Sequence, residues 1–331
     1  MFYKFDFRTY SRKFVTPLNT SHGVWESRNG LIIRLRDETG KVGWGEIAPI
    51  SWFGSETIKE AISFCRKLPQ TITENIIFTI PDELPACQFG FESARETIIK
   101  NHFFASESSS NITSSILLPA GRAALHQWRN IWEYGSHSFK WKIGVYPFAE
   151  EIFIFDLLAG ELPAFTKLRL DANAGLSYGE AEIWLRKCDE INKNDDIDLK
   201  IEFIEQPLAV NQFSEMLELS RIYNTKIALD ESVATLEQLE SCYQQGWRGI
   251  FVIKAGIVGS PSRLRQFCLN HEVDTVFSSV FETNIGREAA LSLATELSSQ
   301  KRAVGFGVNH FFADDEQTCL ENLWKETSSI S

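Results

Sequence analysis

From residue 112 onward, eight short apolar runs alternate with seven amphipathic segments. The runs are SSILLPA, SFKWKIGV, TKLRLDANA, KIEFIEQP, KIALDES, GIFVIKAG, DTVFSSVFE and RAVGFGV. The intervening segments, FAEEIFIFDLLAGEL and YGEAEIWLRKCDEI among them, place apolar residues at helical spacing. Strict strand–helix alternation specifies a parallel sheet, because parallel neighbours need a crossover connection. Eight strands in about 200 residues suit a closed barrel better than an open doubly wound sheet. No G-x-G-x-x-G follows the first of these strands, which further disfavours the open sheet. The expected class is α/β, with a (β/α)7β TIM-like barrel over residues 112–307.

Residues 1–106 follow another pattern, strands first and then helices, which reads as α+β. GLIIRLRD and VGWGEIAP are strand-like and are joined by the turn ETGK. SETIKEAISFCRKL and FGFESARETIIKNHFF read as helices, and the polar SESSSN, residues 106–111, marks a boundary. The formal net charge of −11 argues against a nucleic-acid partner. No apolar window is long enough to span a membrane, and the start of the chain alternates aromatic and charged residues, unlike a signal peptide. The six cysteines form no Cys-x-x-Cys pair, so a reducing, cytoplasmic setting is expected. The oligomeric state is not readable.

The charged residues at the strand ends carry the functional signal. SFKWKIGV sets Lys140 and Lys142 on one face of a strand, with Trp141 on the other and expected in the core. Asp171 ends the third strand, Glu205 the fourth, Asp230 the fifth and Lys254 the sixth. From Lys142 the spacings are 29, 34, 25 and 24 residues, about one β/α unit each. One such charge at a strand end is ordinary solvated loop chemistry. Five consecutive strands placing one at the same height converge on the C-terminal mouth of a barrel, where this fold does its chemistry. Three neighbouring carboxylates repel one another and need a cation, and all-oxygen ligation selects a hard ion such as Mg2+. The two lysine-bearing strands flank the acidic ones, so the lysines are expected to face a small anionic substrate. A neighbouring cation and a metal would lower a lysine's pKa and free its amine to act as a base. In IEFIE, Glu205 is preferred to Glu202 because it directly precedes Gln206–Pro207 at the strand end.

The motifs KWK, LDAN, IEQP, LDES and VIKAG, in this order and spacing, resemble the enolase superfamily, in its muconate-cycloisomerase-like group. That resemblance covers nearly the whole chain. It implies that residues 1–106 form a capping domain, completed by residues 308–331, over the barrel at 112–307. It implies abstraction of the proton α to a carboxylate by a Lys or His base with Mg2+, as is general in these sites. Carried over residue by residue, Asp171, Glu205 and Asp230 become Mg2+ ligands, with Mn2+ able to substitute. Lys142 becomes the base, Lys254 the cation on the opposite face, and Lys140 an offset to carboxylate charge. The segment from Pro17 to Thr57, with a mobile loop at residues 17–27, resembles the branch that dehydrates a succinyl-substituted cyclohexadiene carboxylate. So do VIKAGIVGS and SSVFETNIGR. Asn173, Ser278, Ser279 and Gly305 are candidate substrate contacts, weighed evenly against turn chemistry. The rivals are an N-acylamino acid racemase or dipeptide epimerase using the same two lysines, a muconate cycloisomerase, and a non-catalytic barrel. Dipeptide epimerases carry an Asp-x-Asp after the last strand, where this chain reads GFGVNHFF.

Overall fold

A computed structural model describes the chain apart from residues 21–22, 101–111, 134, 136, 195–198, 309–310 and 313–331. The SESSSN boundary and most of the 308–331 segment therefore lie outside the described residues. In the N-terminal part, β1 (Phe2–Thr20), β2 (Gly23–Asp37), β3 (Val42–Ile47) and β4 (Thr71–Thr73) form an antiparallel sheet in the order β3-β2-β1-β4. Helices α1 (Ile58–Lys67), α2 (Glu74–Phe78) and α3 (Pro85–Lys100) accompany it. Helix α3 packs on β3, where a Cβ at Gly43 would sit 2.0 Å from the Ala94 carbonyl oxygen and one at Gly45 1.9 Å from that of Gly90. Only glycine permits so close an approach.

Residues 17–27 differ from the expected loop between strands. Leu18 pairs with Trp25, Asn19 with Val24 and Thr20 with Gly23, so the segment extends the β1–β2 hairpin beyond a register shift between Lys13 and Leu18. Irregularities of this kind bend and twist a strand pair. Residues 21–22 at the tip lie outside the described residues.

The remainder is the barrel. Strands β5 (Ile116–Leu118), β6 (Ser138–Lys142), β7 (Lys167–Asp171), β8 (Lys200–Glu205), β9 (Lys226–Leu229), β10 (Ile250–Ile253) and β11 (Asp274–Phe277) are parallel neighbours in sequence order. The eighth strand closes the ring through two bridges, Ser114 to Val304 and Ser278 to Gly305. Helices α4 (Ala124–Glu133), α5 (Phe148–Glu161), α6 (Tyr178–Lys193), α7 (Phe213–Ile222) and α8 (Leu236–Gln244) intervene in turn. A short α9 (Ala255–Val258) precedes α10 (Pro261–Asn270) and α11 (Asn284–Leu297). The strand expected to run through KAG thus ends at Ile253, and Lys254 caps a helical turn instead.

Period-two alternation sorts the strand residues between two cores. Trp141, Leu170, Ile204, Leu229, Ile253 and Phe277 point outward into the helix layer, where Trp141 packs against Phe155 and Trp184. Phe203, Ala228, Ile250, Val252 and Val276 form a smaller cluster on the opposite faces. The next inward positions along β9 and β10, toward the C-terminal ends, are Asp230 and Lys254.

Buried side chains bolt the N-terminal part to the barrel. The Glu46 carboxylate accepts from Thr283 N (3.0 Å) and Gly286 N (2.9 Å) at the start of α11, and from the Tyr10 hydroxyl. Glu92 accepts from Ser262 N (2.9 Å) and the Ser260 hydroxyl at the start of α10. In both cases a carboxylate meets the unpaired N–H groups of a helix N-terminus, where negative charge is favoured. Among the described residues no helix is long and apolar enough to cross a membrane.

Candidate active site

Parallel pairing sets Lys142, Asp171 and Glu205 directly abreast on β6, β7 and β8. Asp230 and Lys254 are the first residues beyond β9 and β10. The carboxylates are nearly closed off from solvent, with relative exposures of 6% for Asp171, 2% for Glu205 and 3% for Asp230. The Lys140 ammonium bridges two of them, 2.7 Å from Asp171 Oδ2 and 2.6 Å from Glu205 Oε1. Lys254 donates to Asp230 Oδ1 and lies 3.9 Å from the centre of the Phe53 ring. Lys142 is half-buried on the same strand face as Lys140.

The electrostatics follow from this crowding. Burial, and then repulsion from Asp171, raises the pKa of Glu205, while Lys140 opposes the shift. Burial also raises that of Asp230, against Lys254 and with Glu231 adding repulsion. Burial works against the charge of Lys140, but Asp171, Glu205 and Asp230 outweigh burial and hold it protonated, well above the usual lysine value.

Two residues of this site carried no separate signal in the sequence. Gln206, fully buried with φ of +37°, accepts from Asp230 N (3.0 Å) and Ser232 N (3.2 Å) and donates to Ser232 Oγ (2.8 Å). It ties the end of β8 to the loop after β9. Glu231 follows Asp230 into a 3-10 turn, Glu231–Val233, and its Oε2 is buried without a hydrogen-bond partner. In a strand it would point away from Asp230. The turn cancels that alternation, so strand periodicity does not reveal it.

Asn173 has φ of +41°; its N–H reaches Asp171 Oδ1 (3.2 Å) and its Nδ2 reaches Glu231 Oε1 (3.4 Å). Ser278, Ser279 and Gly305 sit where the barrel closes. A Cβ at Gly305 would lie 2.8 Å from Ser278 Oγ, so glycine there admits the eighth strand. Ser279 Oγ donates to Glu282 Oε2 (2.9 Å) and accepts from Phe281 N (2.9 Å), which engages the hydroxyl within the rim.

The carboxylates at the barrel mouth are the candidate ligands of a hard divalent cation. As they stand, no three His, Cys, Asp or Glu side chains among the described residues are placed to hold an ion; Asp171 and Glu205 pair with Lys140, and Asp230 with Lys254. The chemistry of the set nonetheless fits. Its ligands are all oxygen, Asp171, Glu205, Asp230 and Glu231 outnumber the two ammonium groups paired with them, and Glu231 has an oxygen to spare.

Comparison with known proteins agrees along the whole chain. Residues 123–323 match the family model for an enolase C-terminal domain-like fold, and residues 13–98 match that for the MenC N-terminal domain. The o-succinylbenzoate synthase of Thermosynechococcus vestitus is 38% identical over 328 residues, covering 97% of this chain and 98% of that protein. The crystal structure of o-succinylbenzoate synthase from Thermosynechococcus elongatus with Mg in its active site superposes with a TM-score of 0.88 at 38% identity, over 98% of this chain and 99% of that one. The L-Ala-D/L-Glu epimerase of Bacillus subtilis, at 20% identity, shares the fold, with a TM-score of 0.73 over 94% of this chain and 91% of its own. A capping domain and a barrel that each match, joined in one chain alike from end to end, place this chain in the o-succinylbenzoate synthase family of the enolase superfamily.

Proposed function

We propose that the chain is an o-succinylbenzoate synthase, a carbon–oxygen lyase. It dehydrates 2-succinyl-6-hydroxy-2,4-cyclohexadiene-1-carboxylate to o-succinylbenzoate, a step toward menaquinone or phylloquinone. The observation that carries this reading is the end-to-end likeness to a synthase of that name, at 38% identity over 97% of the chain. The charged ring at the ends of β6 to β10 supports it with chemistry suited to the reaction.

In this reading Asp171, Glu205 and Asp230 hold Mg2+, or Mn2+ in its place. The bound ion supplies a Lewis acid for the substrate carboxylate, which makes the adjacent C–H acidic. Lys142 takes that proton. The electron pair left on carbon forms the new double bond as the C–O bond breaks, and the Lys142 ammonium returns the proton to the departing hydroxide as water. Lys254, fixed by Asp230, presents positive charge to the ring as it becomes aromatic. Lys140, held protonated between Asp171 and Glu205, offsets the carboxylate charge.

Assay of the purified protein with the cyclohexadiene and Mg2+, beside an N-succinyl amino acid, tests the reading. Dehydration is expected, lost in excess chelator and restored by Mg2+. Racemisation of the N-succinyl amino acid with no dehydration would replace it with the epimerase alternative.

A further inference from the structure

The scheme above leaves unused a capping-domain ring that reaches one of its lysines. Phe53 ends a short 3-10 turn, Ser51–Phe53, and its ring centre lies 3.9 Å from the Lys254 ammonium. That ammonium is shielded, with the Lys254 side chain only 13% exposed; it donates to Asp230 and also attracts Glu231 and Glu205.

The segment carrying Phe53 is tightly held. Arg28, 2% exposed, donates to the carbonyls of Ala48, Pro49 (2.9 Å) and, across in the barrel, Val280 (2.8 Å). Ile50 N donates to Ser55 Oγ (2.7 Å). Gly54, at φ of +112°, packs so closely on the loop after Asp230 that a Cβ there would lie 3.2 Å from Ala234 Cβ. The ring is thus fixed from the capping domain and from the barrel together.

We propose that Phe53 is a positioning residue for Lys254, its ring face holding the ammonium through a cation–π contact. Asp230 alone serves poorly for this task, because the same carboxylate is a proposed metal ligand. A carboxylate shared with a cation has less charge to offer an ammonium, whereas the ring's quadrupole is not shared. Shielding from water strengthens the contact. The inference rests on the dehydratase reading for the catalytic task of Lys254 and for the metal at Asp230.

Two measurements test it. Reductive 13C-methylation keeps the lysine charge and labels Lys254, whose resonance is identified by its loss in Lys254→Arg. In the wild type the methyl signal is expected to be displaced upfield by the Phe53 ring current. The displacement should vanish in Phe53→Leu and persist in Phe53→Tyr. In the Mg2+-loaded enzyme, Phe53→Leu is expected to lower kcat roughly tenfold with KM changed less than about twofold. Phe53→Tyr should recover most of that loss. Thermal melts establish that each variant folds, and Phe53→Met replaces the leucine variant if that one does not. An undisplaced Lys254 signal in the wild type overturns the proposal. So do equal kcat values for the leucine variant and the wild type, or equal impairment of leucine and tyrosine, which would mark packing alone. If the wild type fails to dehydrate the cyclohexadiene, the function falls, but the resonance still decides the place of Phe53.

Discussion

Strand β8 carries two buried glutamates three residues apart, and their surroundings are opposite. Glu202 sits at the β7–β8 register shift between two guanidinium groups, 2.7 Å from Arg169 and 2.8 Å from Arg302. Arg302 also pairs with Asp274 at 2.6 Å, so this lower layer holds two arginines against two carboxylates. Despite burial, the arginines hold Glu202 below the ordinary carboxylate range. Glu205 pairs with Lys140 alone, and burial, with repulsion from Asp171 and Asp230, raises its pKa against the pull of Lys140 and Lys254. One site is closed and neutral, while the other is kept short of positive charge. A buried cluster whose charges balance serves the fold. One left unbalanced costs stability, and the reaction is the reason to keep it.

The largest effect that could break this contrast lies at Lys142. Lys142→Ala is expected to lower turnover by about 10³-fold or more, since a positioned base is worth roughly 10² to 10⁴. Lys142→Arg should be as inactive, because a guanidinium keeps its proton. Both proteins should melt within about 2 °C of the wild type. Steady-state assays and melts check this, together with loss of α-proton exchange in deuterated water. Near-normal dehydration by the alanine variant would remove the mechanism even with the family intact.

The glutamates themselves sharpen the contrast. Glu202→Gln leaves Arg169 buried with a weakened partner, a loss of about 3 kcal/mol that should lower Tm by roughly 4 °C. Its turnover per folded molecule should change little. Glu205→Gln should do the reverse, with turnover abolished, Tm in chelator held within about 2 °C, and Mg2+ no longer raising Tm. If both variants behaved alike, charge balance would not separate structure from function here.

Acidity extends the comparison to Glu282, at the barrel rim. Burial, with Glu46 adding repulsion, pushes this carboxyl up to about 7, and its Oε1 has no partner. A carboxyl whose folded pKa lies above its unfolded one binds more protons in the native state, so its contribution is complete below the unfolded value and is lost as pH rises through about 7. Glu202, lowered, runs the other way: its contribution is present above the unfolded value and lost as pH falls through the folded one. Glu282→Gln should therefore gain about 2 kcal/mol over the wild type at pH 8 and almost nothing at pH 5, measured by denaturant unfolding at each pH. A gain that did not depend on pH would point to altered packing.

Local patterns made much of this molecule legible. The barrel follows from eight apolar runs, and the strand-end charges that meet at its mouth from their spacing, because both are fixed by neighbours along one strand. What escaped depends on contacts between distant segments or on broken periodicity. Phe53 meets Lys254 only because the capping domain is bolted on through Arg28, Glu46 and Glu92. Gln206 acts from a left-handed φ that no strand pattern anticipates, and Glu231 turns toward the mouth because the backbone leaves the strand at Asp230.

The smallest effect concerns Asn173, which the sequence leaves between a turn and a substrate contact. Its φ of +41° favours asparagine or glycine, and its amide touches Glu231, the carboxylate with a free oxygen. Two substitutions separate these roles. Asn173→Gly accepts the backbone but loses the amide, while Asn173→Ala loses both. If the amide orients Glu231, both variants should lose turnover by about three- to tenfold, the value of one hydrogen bond to a charged group in part. Only the alanine variant should also lose about 1 kcal/mol of stability, the strain of a left-handed residue with a Cβ. A glycine variant with full turnover would assign Asn173 to the turn alone and leave Glu231 to be oriented by Lys254 and its own backbone.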